Sequence, residues 1–464
     1  MEGAVRRGGG SAVWVDETKL DRTVVRCNTT SLVRALRRAS PDQGTQMKSR
    51  RIVSALIIAV GLIASACSSD SPSTDAATEA AATEAVATEA APAETEAAAT
   101  EAAATEAAAA ETTAAVAGGD PAARVAAFSK ALTALPFNEA IADVPAGKKV
   151  YYVQCSVPVC EEIKGGIEAA AKKLGWTLET TAHKDTPETV AAAFDAAIAA
   201  KPDVVLTSGN PREWFATQLK TLEDAKIPVV AWSMPEPYEP GQGVSANLLS
   251  GDDYYFYGAL MADYAAAKSA KKNILFVGLP VFPVLSGVQK GFTEEIARVC
   301  ADCKVDTMEV AITDLGTNLP GQIVSKLQAN KDLDFVVYAF GGMLFGVPDA
   351  IEAAGLLPQA QAISQAGGPM NFAFIEGGKH QVAEVGLASE LLGWRAIDVA
   401  ARVLSGSGPG RSTPPAEAII EGHPDILVNG LPLQILEKGS LADATKLWPG
   451  VAGYQDQFAK LWGK

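Results

Sequence analysis

The sequence predicts an α/β protein in which two Rossmann-like lobes, each with a parallel sheet, enclose a ligand cleft. From about residue 121 to residue 464, short apolar segments alternate regularly with helical ones, and this alternation begins again after residues 244–248. The apolar segments lack a polar face, which is typical of parallel sheets covered by helices on both sides. A stretch of this length allows two lobes with separate cores. Two similar halves imply a cleft between them.

Both halves follow the same order of elements. In the first half, strands are predicted at 149–154, 176–181, 203–208, 228–233 and 244–248, and helices at 159–174, 187–200 and 211–225. In the second half, helices are predicted at 254–267, 287–299, 319–329, 347–354 and 394–404, and strands at 273–277, 305–311, 335–338 and 362–364. Asp252 and Asp253 precede the helix that begins near Tyr254, where carboxylates cap free backbone N–H groups.

Residues 47–67 have the organisation of a bacterial lipoprotein signal peptide. A basic start is followed by an uncharged apolar run over 52–66, and Ala64-Ser65-Ala66 precede Cys67. This order resembles a lipobox, and the resemblance implies that Cys67 is lipidated and holds the mature protein on the outer face of the cell membrane. The alternative is a short transmembrane anchor, although a run of roughly 15 residues is shorter than the roughly 20 that a span requires.

The segments on either side of this signal are not predicted to join the fold. A secretion signal must begin the chain, so we expect Met47 to be the true start and 1–46, rich in Arg and Gly, to be a misassigned leader. Residues 68–120 form a low-complexity Ala/Thr/Glu linker whose Glu residues recur mostly every five positions. Such a repeat cannot align on one face of a helix, so we expect an extended spacer. The net charge of −15, without a basic stripe, argues against nucleic acid as a partner.

Several segments of the globular part resemble the type I periplasmic solute-binding proteins, in the sugar-binding branch related to ribose-binding protein. The resemblance covers nearly all of 147–464 and lies in the order and spacing of 161–170 with Leu174-Gly175, 201–205, 225–230, 255–258, 290–292 and the helix around Gly393 that ends at 404–406. It implies a periplasmic-binding-protein-like I fold that captures a small molecule by clam-shell closure. It also implies the permease and ATPase subunits of an ABC importer as partners, a monomer, and no cofactor.

The resemblance further implies where the lobes begin and end within the solute-binding domain at 121–464. Lobe 1 would contain about 147–247 plus a returning piece at 389–412, and lobe 2 would contain about 250–386 plus 413–464. The connections between them would act as the hinge of the closure.

Ligands of open parallel sheets bind beyond the carboxyl ends of the strands, so the loops that follow the strands supply the candidate site residues. In the first lobe these are Gln154, Ser156, Val157, Asn210, Trp214, Trp232 and Met234, and in the second lobe Phe282, Phe340, Met343 and Gln365. Some of them have an alternative role. Trp232 or Phe340 could complete the core of its lobe, and Gln154 could form hydrogen bonds with backbone groups.

The polar side chains that grip hydroxyl groups in sugar-binding relatives have no counterpart in this sequence. Ser286 and Val288 stand where Arg residues are expected, Phe340-Gly341 replace an Asn-Asp pair, Ala366 replaces an Asp, and Leu387 replaces a Gln. Phe, Trp and Met offer stacking and apolar area in place of bidentate hydrogen bonds. Sugar remains the broad class that the resemblance implies, but we predict a ligand less polar than a free monosaccharide, aromatic or alicyclic in character.

Six cysteines are present, and four of them fall in the globular part. Cys27 lies in the leader and Cys67 is the lipidation site. In an oxidising extracellular compartment, local pairing is the economical arrangement, so we predict disulfides between Cys155 and Cys160 and between Cys300 and Cys303.

No enzyme or metal site is predicted. The three histidines, His183, His380 and His423, do not share metal-ligand spacing, and no nucleophile elbow or phosphate-binding glycine motif follows a strand. A ligand-sensing partner of a membrane receptor would use the same type of binding protein and remains an alternative to import, whereas an extracellular hydrolase is a weaker one.

Overall fold

The computed structural model describes residues 120–464. The predicted leader, signal peptide and lipidation site at Cys67 lie outside the described residues, as does all of the predicted linker except residue 120. In chain order, the elements of the described part are α1 (Pro121–Phe128), β1 (Lys149–Gln154), α2 (Pro158–Leu174), β2 (Thr177–Ala182), α3 (Pro187–Ala200), β3 (Val204–Ser208), α4 (Ala216–Asp224), β4 (Val229–Trp232), β5 (Val244–Asn247), α5 (Gly251–Lys268), β6 (Asn273–Gly278), α6 (Leu285–Val299), β7 (Lys304–Glu309), α7 (Leu319–Ala329), β8 (Phe335–Tyr338), α8 (Val347–Ala353), β9 (Gln361–Gln365), α9 (Pro369–Gly377), β10 (Gln381–Val385), α10 (Ser389–Leu404), β11 (Ile435–Glu437) and α11 (Tyr454–Leu461).

Two sheets confirm the predicted α/β class. The sheet of lobe 1 has five strands in the order β2-β1-β3-β4-β5, and all of its strand pairs are parallel. The sheet of lobe 2 has six strands in the order β11-β10-β9-β8-β6-β7, and only the short β11 is antiparallel to its neighbour. The central strands β3, β4 and β8 are buried along their whole length, because helices cover both faces of each sheet. Within residues 120–464, no helix is long and apolar enough to cross a bilayer.

The predicted helix over 211–225 is interrupted at its first turn. A 3₁₀ turn over Arg212–Trp214 precedes α4, and Phe215 between them has a φ of −136°, outside the helical region. This break allows the Phe215 ring to stack on Phe194 with a centroid distance of 4.4 Å. Burial of an aromatic ring in the outer core of lobe 1 therefore outweighs the continuity of the helix.

Two helix pairs, one in each lobe, cross with their backbones in close approach. In lobe 1, a side chain on Gly166 of α2 would collide with the carbonyl oxygen of Glu390 on α10, and Gly393 of α10 faces the backbone of α2 in the same way. In lobe 2, Gly258 of α5 and Gly291 of α6 make the equivalent crossing. Both α5 and α10 begin immediately after the chain passes from one lobe to the other. Each helix–helix contact therefore fixes the first helix that the chain forms in its new lobe.

Among the described residues, three of the segments in which the chain passes from one lobe to the other are hydrogen-bonded to one another. The first lies between β5 and α5, the second between β10 and α10, and the third between α10 and β11. Asp253 at the start of α5 accepts a 2.8 Å hydrogen bond from the backbone N–H of Leu427 in the third crossing. The backbone N–H of Gly386 in the second crossing donates to the carbonyl of Gln434, also in the third, at 2.9 Å. The crossings therefore form one connected hinge.

The C-terminal helix lies on lobe 1, in contrast to the predicted place of 413–464 in lobe 2. The indole ring of Trp462, just after α11, stacks on Trp394 of α10 at 5.3 Å, and its Nε1 donates a 2.8 Å hydrogen bond to Asp398. Only the part of the tail around β11 joins the lobe 2 sheet. Trp394 also packs against Phe458 of α11, so burial of aromatic surface stabilises this return.

The N-terminal segment before β1 is an addition that sequence periodicity did not reveal. Its helix α1 packs on α5 in lobe 2, where the buried guanidinium of Arg124 lies 2.7 Å from carboxylate oxygens of both Asp263 and Glu295. Further along, the carbonyl of Pro145 accepts a 2.7 Å hydrogen bond from the indole of Trp176 in lobe 1. The segment therefore contacts both lobes.

The adjacent glycines of α2 allow the helix crossing to be tested. We expect Gly166→Ala to lower the free energy of unfolding by about 1–3 kcal/mol, because the added methyl group overpacks the contact with α10. Gly165→Ala should instead raise the free energy of unfolding by about 0.5–1 kcal/mol, because nothing lies within 4 Å of the new methyl group and alanine favours helix. Urea denaturation of both variants measures the difference. Equal unfolding midpoints would contradict the proposed role of Gly166.

Candidate ligand-binding cleft

A cleft lies between the lobes, beyond the carboxyl ends of the strands. Lobe 1 contributes loops that follow β1, β2, β3 and β4, together with the start of α2, and lobe 2 contributes the segments that follow β6, β8, β9 and β10. Most of the lining is apolar. The lining residues are Cys155, Val157, Val159, Cys160, Ile163, Asp185, Ser208, Gly209, Trp232 and Ser233 from lobe 1, and Tyr254, Phe282, Val284, Leu285, Phe340, Gln365, Ala366 and Leu387 from lobe 2 and its crossing.

Five of the residues predicted from the strand ends line this cleft: Val157, Trp232, Phe282, Phe340 and Gln365. Trp232 is also 1 % exposed and packs against Tyr152 in the lobe 1 core, with 5.5 Å between ring centroids. Its two candidate roles are therefore not exclusive, since one face of the indole completes the core while another closes the cleft.

Three predicted apolar site residues lie in the cores and not in the cleft lining. Met234 and Met343 are completely buried, and Trp214 packs on the outer core of lobe 1 beside Phe215. Met234 directly follows Ser233, which does line the cleft. Proximity along the chain to a lining residue therefore does not decide whether a side chain faces the cleft.

Three predicted polar residues support the loops that line the cleft. Gln154 donates a 2.7 Å hydrogen bond to Glu161, and the Ser156 hydroxyl donates to Asp185. Asn210 is buried, and its Nδ2 donates a 3.3 Å hydrogen bond to the Thr207 hydroxyl. Gln154 therefore bonds a side chain rather than the backbone. These residues position their loops and do not line the cleft.

Left-handed backbone conformations recur at the cleft edge of four strands. Asp185, Gly209, Ser233 and Ala366 follow β2, β3, β4 and β9, and their φ angles are 53°, 65°, 58° and 56°. Three of these residues are not glycine, and such strain persists only where the surrounding structure imposes it, often at ligand sites. Sequence reasoning did not single out Asp185 or Ser233, since no residue type announces this conformation when glycine is absent. It also missed Ser208, the last residue of β3.

One of the two predicted disulfides forms part of the cleft wall. The structure contains both bridges, Cys155–Cys160 and Cys300–Cys303. The first joins the start of the loop after β1 to the first turn of α2, and the Ser208 hydroxyl donates to Cys155 Sγ at 3.2 Å. The second closes the end of α6, outside the cleft lining.

A buried polar cluster holds the lobe 2 loop that carries Ala366. Glu384 on β10 accepts hydrogen bonds from the Ser364 hydroxyl, from the backbone N–H of Gly367 and from Gln381. Burial raises the pKa of Glu384 to about 7, although these hydrogen bonds oppose the shift. The cluster fixes the backbone of the loop without placing its own carboxylate in the cleft lining.

Gln365, at the end of β9, presents an unpaired acceptor. The side chain is 1 % exposed, and its Nε2 donates a 2.8 Å hydrogen bond to the carbonyl of Ala339. That carbonyl accepts but cannot donate, so the amide orientation is fixed by chemistry. Among the described residues, no partner reaches Oε1.

The three histidines have structural surroundings. Burial lowers the pKa of His183 and lowers that of His380 to about 4, so both imidazoles are neutral near pH 7. His423 lies 2.8 Å from Asp252 at the hinge. Within residues 120–464, no group of His, Cys, Asp and Glu side chains could hold a metal ion.

Two lobes with parallel sheets, a connected hinge and an interlobe cleft define a two-lobed α/β solute-binding protein. A model of the periplasmic binding protein domain matches residues 150–408, which is more than half of the chain. The chain therefore belongs to the periplasmic binding protein domain family, in its type I arrangement, and is a binding protein and not an enzyme. A comparison with curated proteins gave no match.

Solved structures share the fold at low sequence identity. An ABC transporter solute-binding protein from Agrobacterium vitis, bound to alpha-D-tagatopyranose, is 18% identical, with a TM-score of 0.52 over 65% of this chain and 99% of that chain. An ABC transporter solute-binding protein from Actinobacillus succinogenes, bound to D-allose, is 18% identical, with a TM-score of 0.53 over 63% of this chain and 98% of that chain. A carbohydrate transporter protein from Acidothermus cellulolyticus, in complex with myo-inositol, is 17% identical, with a TM-score of 0.51 over 64% and 97%.

The cleft disulfide should affect ligand binding more than its counterpart in lobe 2. We expect replacement of Cys155 and Cys160 by Ser to weaken binding of any bound compound about 5- to 10-fold, because the freed loop must be ordered on binding. Replacement of Cys300 and Cys303 by Ser is the matched control and should leave the dissociation constant unchanged. Isothermal titration of the two double variants tests this, and equal affinities would contradict it.

Proposed function

We propose that this protein is the extracytoplasmic solute-binding lipoprotein of an ABC importer, and that it captures a small ring compound less polar than a free monosaccharide. The observation that carries the proposal is the cleft itself, since both lobes line it and apolar side chains form most of its surface. Closure of the lobes about the three crossings would bury a ligand on both faces.

Similar solved structures hold alpha-D-tagatopyranose, D-allose or myo-inositol, which supports a ring compound as the broad class. In this chain, Ala366 and Leu387 line the cleft at the two positions where an Asp and a Gln are expected in sugar-binding relatives. Trp232, Phe282 and Phe340 add aromatic surface. A mostly apolar wall with few polar side chains favours contact with the ring over contact with its hydroxyl groups.

The proposed location depends on the N-terminal sequence. Lipidation of Cys67 would hold the protein at the outer membrane face, and the linker at 68–120 would separate the folded domain from the bilayer. A binding protein held in this way can meet the permease of its importer without diffusing from the cell.

Ligand screening by thermal unfolding tests the proposed ligand class. The mature chain is heated with sugars, nucleosides, polyols, and aromatic and alicyclic compounds, and we expect stabilisation by aromatic or alicyclic ring compounds. A ligand at about 100 times its dissociation constant contributes about 2.7 kcal/mol, which is a rise of a few degrees in melting temperature. Stabilisation by free monosaccharides alone would refute the apolar ligand class, and no stabilisation by any compound would refute the binding function.

A matched pair of phenylalanine variants tests whether the compound binds in this cleft. Phe282→Ala should weaken binding about tenfold, because it removes aromatic area from the cleft wall. Phe345→Ala should not change binding, because Phe345 is 61% exposed and does not line the cleft. An equal effect of both substitutions would contradict binding in this cleft.

The lipid anchor is tested by Cys67→Ser in the producing bacterium. We expect the variant to lose its acyl groups and to leave the membrane fraction, since the thiol is the only group that the diacylglycerol can modify at this position. Fractionation and mass spectrometry of the N-terminus measure both effects. A variant that stays in the membrane would indicate that the apolar run over 52–66 anchors the chain.

A further inference from the structure

Gln365 lines the cleft, and its Oε1 has no hydrogen-bond partner among the described residues. A buried carbonyl oxygen without a hydrogen bond costs free energy, and native proteins retain few such groups. The amide cannot rotate to relieve this, because its Nε2 is held by Ala339. A group that enters the cleft and donates a hydrogen bond would therefore recover this cost.

The other polar groups of the lining indicate the charge that the cleft accepts. Asp185 is the only lining residue with a formal charge, and no Lys, Arg or His side chain lines the cleft within the described residues. Ser156 donates to Asp185 from its backbone N–H and its hydroxyl, and the Ser233 hydroxyl is paired with Tyr254 at 2.8 Å. An anionic ligand would lose its hydration without gaining a cation, and it would also meet the field of Asp185.

We propose that the ligand carries an O–H or N–H donor that binds Gln365 Oε1 and that it bears no negative charge. The proposal rests on the proposed function and narrows its ligand class to neutral or cationic ring compounds. Gln365 acts as the specificity-determining residue, since a ring without a donor would leave the acceptor unpaired in the closed cleft. A site with a buried polar group rejects analogues that lack its partner more strongly than an apolar site does.

The test uses ring compounds that share one skeleton and differ only in the head group. Benzyl alcohol, benzylamine and benzoate are titrated into the mature chain by ligand-observed NMR, in parallel with cyclohexylmethanol, cyclohexylmethylamine and cyclohexanecarboxylate. We expect the alcohols and amines to bind at least about tenfold more tightly than the carboxylates, since a difference of about 1.4 kcal/mol corresponds to tenfold.

A matched pair of glutamine variants tests the assigned residue. Gln365→Leu should weaken binding of the alcohols about tenfold, whereas Gln359→Leu should leave it unchanged. Gln359 also donates its Nε2 to backbone carbonyls in lobe 2, at 2.7 Å and 2.9 Å, but it does not line the cleft. The head-group series on the unmodified chain remains decisive if Gln365→Leu fails to fold.

The possible results separate this inference from the proposed function. Carboxylates that bind as tightly as the alcohols, or alcohols that bind Gln365→Leu and the unmodified chain equally, would overturn the inference while the binding function stands. A chain that binds no ring compound from either series or from the larger panel would overturn the proposed function and the inference with it.

Discussion

The close approach of helix backbones at two glycine crossings is the constraint on which the two-lobed structure depends. The chain passes from lobe 1 to lobe 2 before α5, and it passes back to lobe 1 before α10. Each of these two helices packs against the helix that follows the first strand of its new lobe, α6 or α2, with no side chain at the point of contact. The same arrangement occurs in both lobes, and both sheets present their carboxyl ends to a shared cleft.

The cleft combines rigid walls with an apolar surface. Left-handed residues at the strand ends, the Cys155–Cys160 bridge and the buried cluster around Glu384 fix the loops before any ligand arrives. Preorganisation of this kind lowers the entropy lost on binding, so affinity can come from modest contacts. Aromatic and aliphatic side chains provide most of the contact area, while the few polar groups set orientation.

Strongly periodic segments were predicted well from the sequence. The bounds of β1, α3, α7 and β8 agree residue for residue, because apolar patterning and flanking breakers coincide there. In contrast, β10 was missed, since Gln381 and Glu384 interrupt its apolar pattern. Both are buried with hydrogen bonds to each other and to Ser364, which the sequence pattern does not reveal. The nearly all-apolar α9 has no helical stripe to detect.

The site was predictable to the level of the loops but not of every side chain. The ends of the parallel strands identify the right segments, which is why Trp232, Phe340 and Gln365 were found. Met234 and Met343 come from those same segments, yet the backbone turns them into the cores. Asp185 was missed because its place in the cleft depends on a positive φ that sequence does not encode for aspartate.

The N-terminal segment also determines how mechanical load enters the domain. Tension transmitted along the chain from its N-terminal side would reach α1 first, where Arg124 is held by two buried carboxylates, and not β1, which borders the cleft. Removing one partner of such a buried cluster costs about 3–5 kcal/mol, so the contact that holds α1 on lobe 2 is stable against tension. The carboxyl end of β1 at the cleft would thereby be shielded from tension applied to the N-terminal side of the described residues.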